Sequence, residues 1–409
     1  MMRRFGVTTA LLLAAASAGV VIPVLRALVE SAGHGSVAAS VFVNAHVVGG
    51  VIGAALGTRV LGPARSARTL AAAALIGSVA ATLAMALLDS FSLRVGLRFV
   101  DGACHLLAIT ALVAAGTAGD AELRARRAVR LGIAIVLGVA GGFGLGGALH
   151  EPRVALETAA LLSAAALLAT LTLAARPDWT PAPEPHARPA GPAEPAPAIP
   201  TAGRRPGAPG LLAFGERFVF GSLSIAGPFL APSSRVGLVI GVAMSTSVLA
   251  MPLARRYAQR AGARRLAVRS TLAFAATLAA APIADALASS GRALAWAIAC
   301  GAAAGALYTT ALVLVARSAV LAERARDMAT VHAAGNAGFA LGALCTGVLI
   351  PVLPGMLVVA LPGIAIVAAA TVAVWITVPE AARDCPVIGG LAALGSEPTA
   401  GESARQPVT

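Results

Sequence analysis

Residues 176–210 read RPDWTPAPEPHARPAGPAEPAPAIPTAGRRPGAPG, and the division of the whole chain turns on this stretch. Proline at this density prevents helix, and the alanine and glycine around it offer too little apolar surface to pack. The segment therefore reads as a semi-extended or disordered linker. Working outward from it, six apolar runs precede and six follow. The first set is predicted at 5–25, 37–58, 69–88, 92–116, 128–149 and 154–175, the second at 211–231, 236–254, 266–287, 293–316, 328–350 and 353–378. Runs of about 20 apolar residues match the roughly 30 Å of a bilayer core at 1.5 Å per helical residue. The reading is an all-α membrane protein of twelve transmembrane helices. A six-helix bundle fills 1–175, the linker 176–210, a second bundle 211–380 and a tail 381–409. Met1-Met2-Arg3-Arg4 ahead of Leu11–Ala18 resembles a signal peptide, but the apolar run continues to Val24 and is taken as an uncleaved first span.

Composition points the same way. The 409 residues are 58% hydrophobic and only 12% charged, with a mean hydropathy of +0.85 and 44 glycines. Soluble domains carry about a quarter charged residues. Glycine and alanine let membrane helices approach closely. The net charge of +13 does not imply nucleic acid, because the basic residues sit in short loops between apolar runs. All 31 basic residues are arginine. Without lysine there is no Walker A phosphate loop and no Schiff-base amine. HExxH and GxSxG are also missing, so an enzyme is not expected. Cys104, Cys300, Cys345 and Cys385 have no metal-ligand spacing and read as packing residues, so neither metal nor cofactor is expected.

Arginine placement gives an orientation. With the N-terminus in the cytoplasm, 24 arginines fall in cytoplasmic segments or at the span ends that adjoin them and 5 in or beside outer ones, while Arg98 and Arg217 lie further inside spans. This bias supports an even number of crossings and two cytoplasmic termini, in a multi-pass protein of the plasma or inner membrane. A monomer in the lipid bilayer is the expected state. Three matches suggest that the halves repeat. Gly142-Phe143-Gly144-Leu145-Gly146 resembles Gly338-Phe339-Ala340-Leu341-Gly342, an offset of 196 (142 to 338). The loop from Ala55 aligns with that from Pro252, and Thr110-Ala111-Leu112-Val113 recurs from Thr310.

Three motifs then carry a family resemblance. After the second span of the C-terminal half comes Pro252-Leu253-Ala254-Arg255-Arg256-Tyr257-Ala258-Gln259-Arg260-Ala261-Gly262-Ala263-Arg264-Arg265; in the N-terminal half the matching loop has Gly62 and Pro63. In the fourth span stands Leu97-Arg98-Phe99-Val100-Asp101-Gly102-Ala103-Cys104-His105. In the fifth stands Gly138-Val139-Ala140-Gly141-Gly142-Phe143-Gly144-Leu145-Gly146-Gly147. With these the chain resembles the major facilitator superfamily over nearly all its length. The first is similar to the family's loop signature, with Gln259 at the usual aspartate. The second is similar to its arginine motif, with Asp101 at the usual glutamine. The third is similar to the glycine-rich signature of its drug and metabolite antiporters, with Phe143 at the usual proline. The resemblance implies two six-helix pseudo-repeats and transport by alternating access.

Physical reasoning singles out the same residues. Positions 98, 101, 102 and 105 share one helical stripe. With the fourth span starting near Phe91, Arg98 lies about 10 Å inside the membrane. An arginine facing lipid at the centre costs about 2.5–3.5 kcal/mol, so Arg98 and Asp101 should face protein or a watery cavity. Gly138, Gly142 and Gly146, with Gly147 beside them, form a bare stripe for close helix contact. Asn44, His46, Glu157, Tyr308, His332 and Asn336 are further polar groups in spans, and Glu216–Arg217 reads as an interfacial pair. Few aromatics and few intramembrane charges favour a small apolar or amphipathic substrate. The expected activity is proton-coupled efflux, with Arg98, Asp101, His105, Asn44 and Asn336 on the proton or substrate pathway. Uptake by a symporter or uniporter of the same fold is the alternative, and a membrane sensor the distant one.

Overall fold

The computed structural model describes residues 2–60, 67–116, 121–172, 207–286, 290–316 and 321–377, and every regular element among them is helical. The predicted linker and tail fall almost entirely outside these residues, and the loop containing Gly62 and Pro63 falls wholly outside them. α1 (Met2–Val20) bends through a 3-10 turn at Ile22–Val24 into α2 (Leu25–Glu30). Pro23 sits in that turn and has no N–H to continue the helical ladder. The long helices that follow are α3 (Ser36–Val60), α4 (Ala67–Leu87), α5 (Phe91–Gly116), α6 (Ala121–Ala148) and α7 (Pro152–Thr172). The second half holds α8 (Gly207–Leu230), α9 (Ser233–Ala261), α10 (Ala263–Ala286), α11 (Ser290–Ala316), α12 (Leu321–Leu349) and α13 (Leu357–Thr377). α8 thus starts a few residues inside the segment expected to be linker. Among the described residues nine segments are long and apolar enough to cross a membrane; α8, α10 and α12 fall short, each interrupted by polar residues such as Glu216, Arg269 or Asn336.

The two halves pair their helices identically. In the first, α1 packs on α6 and α7, α5 on α3 and α4, and α4 on α7; in the second, α8 packs on α12 and α13, α11 on α9 and α10, and α10 on α13. Across the halves, α6 meets α9 and α3 meets α12, again an equivalent couple.

Bare backbone sets the spacing of these pairs, since apolar burial gives no advantage over lipid. A Cβ on Gly138, Gly142 or Gly146 would strike the carbonyls of Leu12, Ala16 and Val20 on α1. Likewise Gly338 and Gly342 of α12 lie on the carbonyls of Phe214 and Phe218 of α8. These contacts also fix the register of the repeat. Gly147 rests 2.9 Å from the Ser233 carbonyl by its ideal Cβ, and Gly347 stands likewise 2.9 Å from the Ser36 carbonyl. Gly147 therefore corresponds to Gly347, an offset of 200, and the 196 match of the two glycine runs is out by one helical turn. On α5 and α11, Gly102 meets the His46 carbonyl as Gly301 meets that of Ala243, an offset of 199 (102 to 301).

Candidate functional site

Two polar clusters lie inside the bundle, one in each half. The first is built on α5. Arg98 Nη1 donates to Asp101 Oδ2 at 2.8 Å, an i,i+3 pair on one face. From α4, Ser78 donates to Asp101 Oδ1 at 2.6 Å and Thr82 at 3.3 Å. From α3, His46 Nδ1 stands 3.2 Å from Asp101 Oδ2, off the line of a good hydrogen bond. The Arg98 guanidinium lies over the Phe42 ring at 5.4 Å, and the His105 ring is 5.3 Å from that of His46. Arg98, Asp101 and His105 are all buried. The cluster joins three helices of one half, and every carboxylate oxygen has a partner.

The second cluster is built on α8, most of whose residues are buried. Glu216 is buried, and its Oε2 approaches Arg217 Nε at 3.3 Å without hydrogen-bond alignment. The Arg217 side chain is 40% exposed, although its neighbours Glu216 and Phe218 are buried. Its guanidinium lies 6.0 Å over the Tyr308 ring of α11, and Gly335 of α12 stands against its stem. His332 and Asn336 occupy adjacent turns of α12 beside Gly335. Arg217 lies ten residues, about 15 Å, from the start of α8. A part-exposed cation between α8, α11 and α12 would be costly against hydrocarbon, which argues for a watery surrounding.

The halves are joined at the end away from the termini. There Gly147 lies on Gly237 and Ser233, Ser36 Oγ donates to the Gly347 carbonyl at 2.7 Å, Arg26 Nη1 to the Phe229 carbonyl at 3.3 Å, and His150 is 3.2 Å from Ser233 Oγ. The turn at Ile22–Val24 touches α6, α8 and α9 at the same end. A cleft of about 380 Å³ between Arg26, Glu30, His150 and Ser233 marks this join from outside.

Other singled-out residues lie apart. Asn44 is half-buried on α3, its buried Oδ1 without a hydrogen-bond partner among the described residues. Asn336 lies on α12, next to the Gly335 that stands against Arg217, and is not among the partners of Asp101. Glu157 pairs with Arg153 at 3.0 Å on an exposed face. Gly138, Gly142 and Gly146 serve packing within the first half, and Gly147 alone of the four faces the other half. Arg255, Arg256, Gln259 and Arg260 form the last turns of α9. Gly262 follows at φ +87°, the left-handed residue that stops the helix, its N–H bonded to the Ala258 carbonyl. Arg264 lies 5.6 Å over Trp375. Ser78, Thr82 and Phe42 were not singled out by sequence; Ser78 and Thr82, four apart on an otherwise apolar span, were the available signal.

The architecture is the major facilitator fold, a transporter fold. Residues 208–397 match the family model described as Major Facilitator Superfamily. Solved structures share the fold over most of the chain. One is a single-substitution variant of the nucleoside transporter NupG, with a TM-score of 0.70, 13% identity, and coverage of 92% of this chain and 100% of that one. Another is NupG itself, at 0.66, 14%, 94% and 100%. Among curated proteins none matches by sequence.

Proposed function

We propose that the chain is a proton-coupled secondary carrier that moves a small amphipathic molecule by alternating access, monomeric in the cell membrane with both termini cytoplasmic. The observation that carries this reading is the duplicated helix pairing, with the halves held together at one end. Two equivalent bundles joined this way can rock about a site between them. In this orientation the described contacts between the halves lie toward the outer face, and Arg217 lies nearer the cytoplasmic end of α8.

The coupling group that fits best is Glu216 rather than Asp101. Asp101 is held by Arg98, Ser78 and Thr82 inside one half. Glu216 has the part-exposed Arg217 as its counter-ion. A proton on Glu216 releases Arg217 to bind an acceptor on the substrate, so proton and substrate load together. This supports co-transport into the cell. Efflux in exchange for protons is the second reading. It is favoured by the glycine-rich stretch of α6 and keeps Asp101 as proton carrier. Proteoliposomes with an imposed pH gradient separate the two: co-transport accumulates solute on the alkaline side, exchange on the acidic side. Loss of substrate-dependent proton movement in Asp101→Asn, with Glu216→Gln unaffected, would overturn the assignment to Glu216.

A further inference from the structure

We infer that the space beside Arg217 takes a small organic monoanion, an aromatic or otherwise amphipathic carboxylate. The inference rests on the carrier reading and names its substrate class. The guanidinium is a planar fork of donors that suits a carboxylate bidentately. Its one acidic counter-group among the described residues is Glu216, held at 3.3 Å by Nε alone and out of alignment. Nη1 and Nη2 have no described hydrogen-bond partner, and the side chain is 40% exposed on a helix most of whose residues are buried.

The surroundings select the rest of the molecule. Tyr308 stands under the guanidinium, and Phe214, three residues before Arg217 and so on the same face of α8, is partly exposed. An apolar or aromatic body fits against these. A single guanidinium matches one negative charge and is too little for a phosphate ester. The titratable groups around the pair are Tyr308 and Cys300 of α11 and His332 of α12; α13 carries none. With Arg217 and Glu216 both charged the site is neutral, so a bound carboxylate leaves one net negative charge. A proton taken up by Glu216 removes it. Anion and proton therefore bind as a neutral pair.

Titration calorimetry of the full-length protein in detergent tests this, with benzoate as probe and benzamide and uridine as neutral controls. Benzoate binding should take up about one proton, read from the difference between buffers of unlike ionisation enthalpy. Arg217→Gln should weaken it by about tenfold or more, and Arg217→Lys by less. Glu216→Gln should keep binding but lose the proton uptake. Circular dichroism and unfolding temperature show that each variant is folded. The inference is overturned if benzamide or uridine binds as well as benzoate, or if Arg217→Gln leaves benzoate binding unchanged. It is also overturned if benzoate fails to bind while another solute moves in proteoliposomes. If no solute moves at all, the carrier reading falls with it.

Discussion

At matched positions the two halves place opposite chemistry. Around α5 the first half sets Arg98, Asp101 and His105 against Ser78, Thr82 and His46; the corresponding residues of the second half are Ala297, Cys300, Ala304, Thr277, Ala281 and Ala243. The geometry is retained down to the hydroxyl, Thr277 standing beside Cys300 as Ser78 does beside Asp101. Conversely, the Gly19 and Gly221 contacts set Ala14 and Ala15 of α1 against Glu216 and Arg217 of α8. Each half thus carries one buried ionic group, on different helices. The first ties three helices of its own bundle together, whereas the second leaves its cation part-exposed. A shared backbone frame carries a fully partnered carboxylate on one side and a part-exposed cation on the other.

The largest test of this contrast is to remove one carboxylate. Asp101→Ala leaves Arg98 buried without a counter-charge and should destabilise the protein by about 3–5 kcal/mol. Cys300→Ala, at the matching site, should cost about 1 kcal/mol. Equal shifts in detergent unfolding would erase the difference between the halves. Next comes the join. Gly142→Leu and Gly147→Leu both overpack a backbone contact, an effect of about 1–3 kcal/mol. The first should lower the unfolding temperature because it splits α1 from α6. The second should leave a folded protein whose transport falls about tenfold or more, with a cysteine placed at Val236 newly open to a membrane-impermeant maleimide. Retained transport in Gly147→Leu would show that this contact does not have to reform during the cycle. Smallest is Arg26→Ala, which loses an exposed pair with Glu30 and one bond to the Phe229 carbonyl. No more than about 1 kcal/mol is expected, read as a minor change in transport rate.

The spans were legible because hydrocarbon thickness imposes a length on apolar runs, and the described helix ends fall within a few residues of most expected ones. The bend at Pro23 was not seen, since an apolar run looks the same through a 3-10 turn. Alanine and glycine hid the register of the repeat: Gly338-Phe339 matches Gly142-Phe143 by letter, but the carbonyls they touch are one turn apart. Arg98–Asp101 was readable from its spacing of three. Its partners on α3 and α4 were not, because no local pattern says which helices will be neighbours. Arg217 looked interfacial, as α8 begins earlier than its hydropathy suggests and places the residue about 15 Å from its start.

One consequence follows from how the halves meet. Gly147, Gly237 and Gly347 bring backbone onto backbone, and apart from Arg26 the bonds across that end involve hydroxyls, carbonyls and one imidazole. Such contacts are nearly indifferent to ionic strength, whereas attraction of an anion to Arg217 is screened by added salt. A transport rate that falls with salt would therefore report on capture of the cargo and not on the rocking of the two bundles.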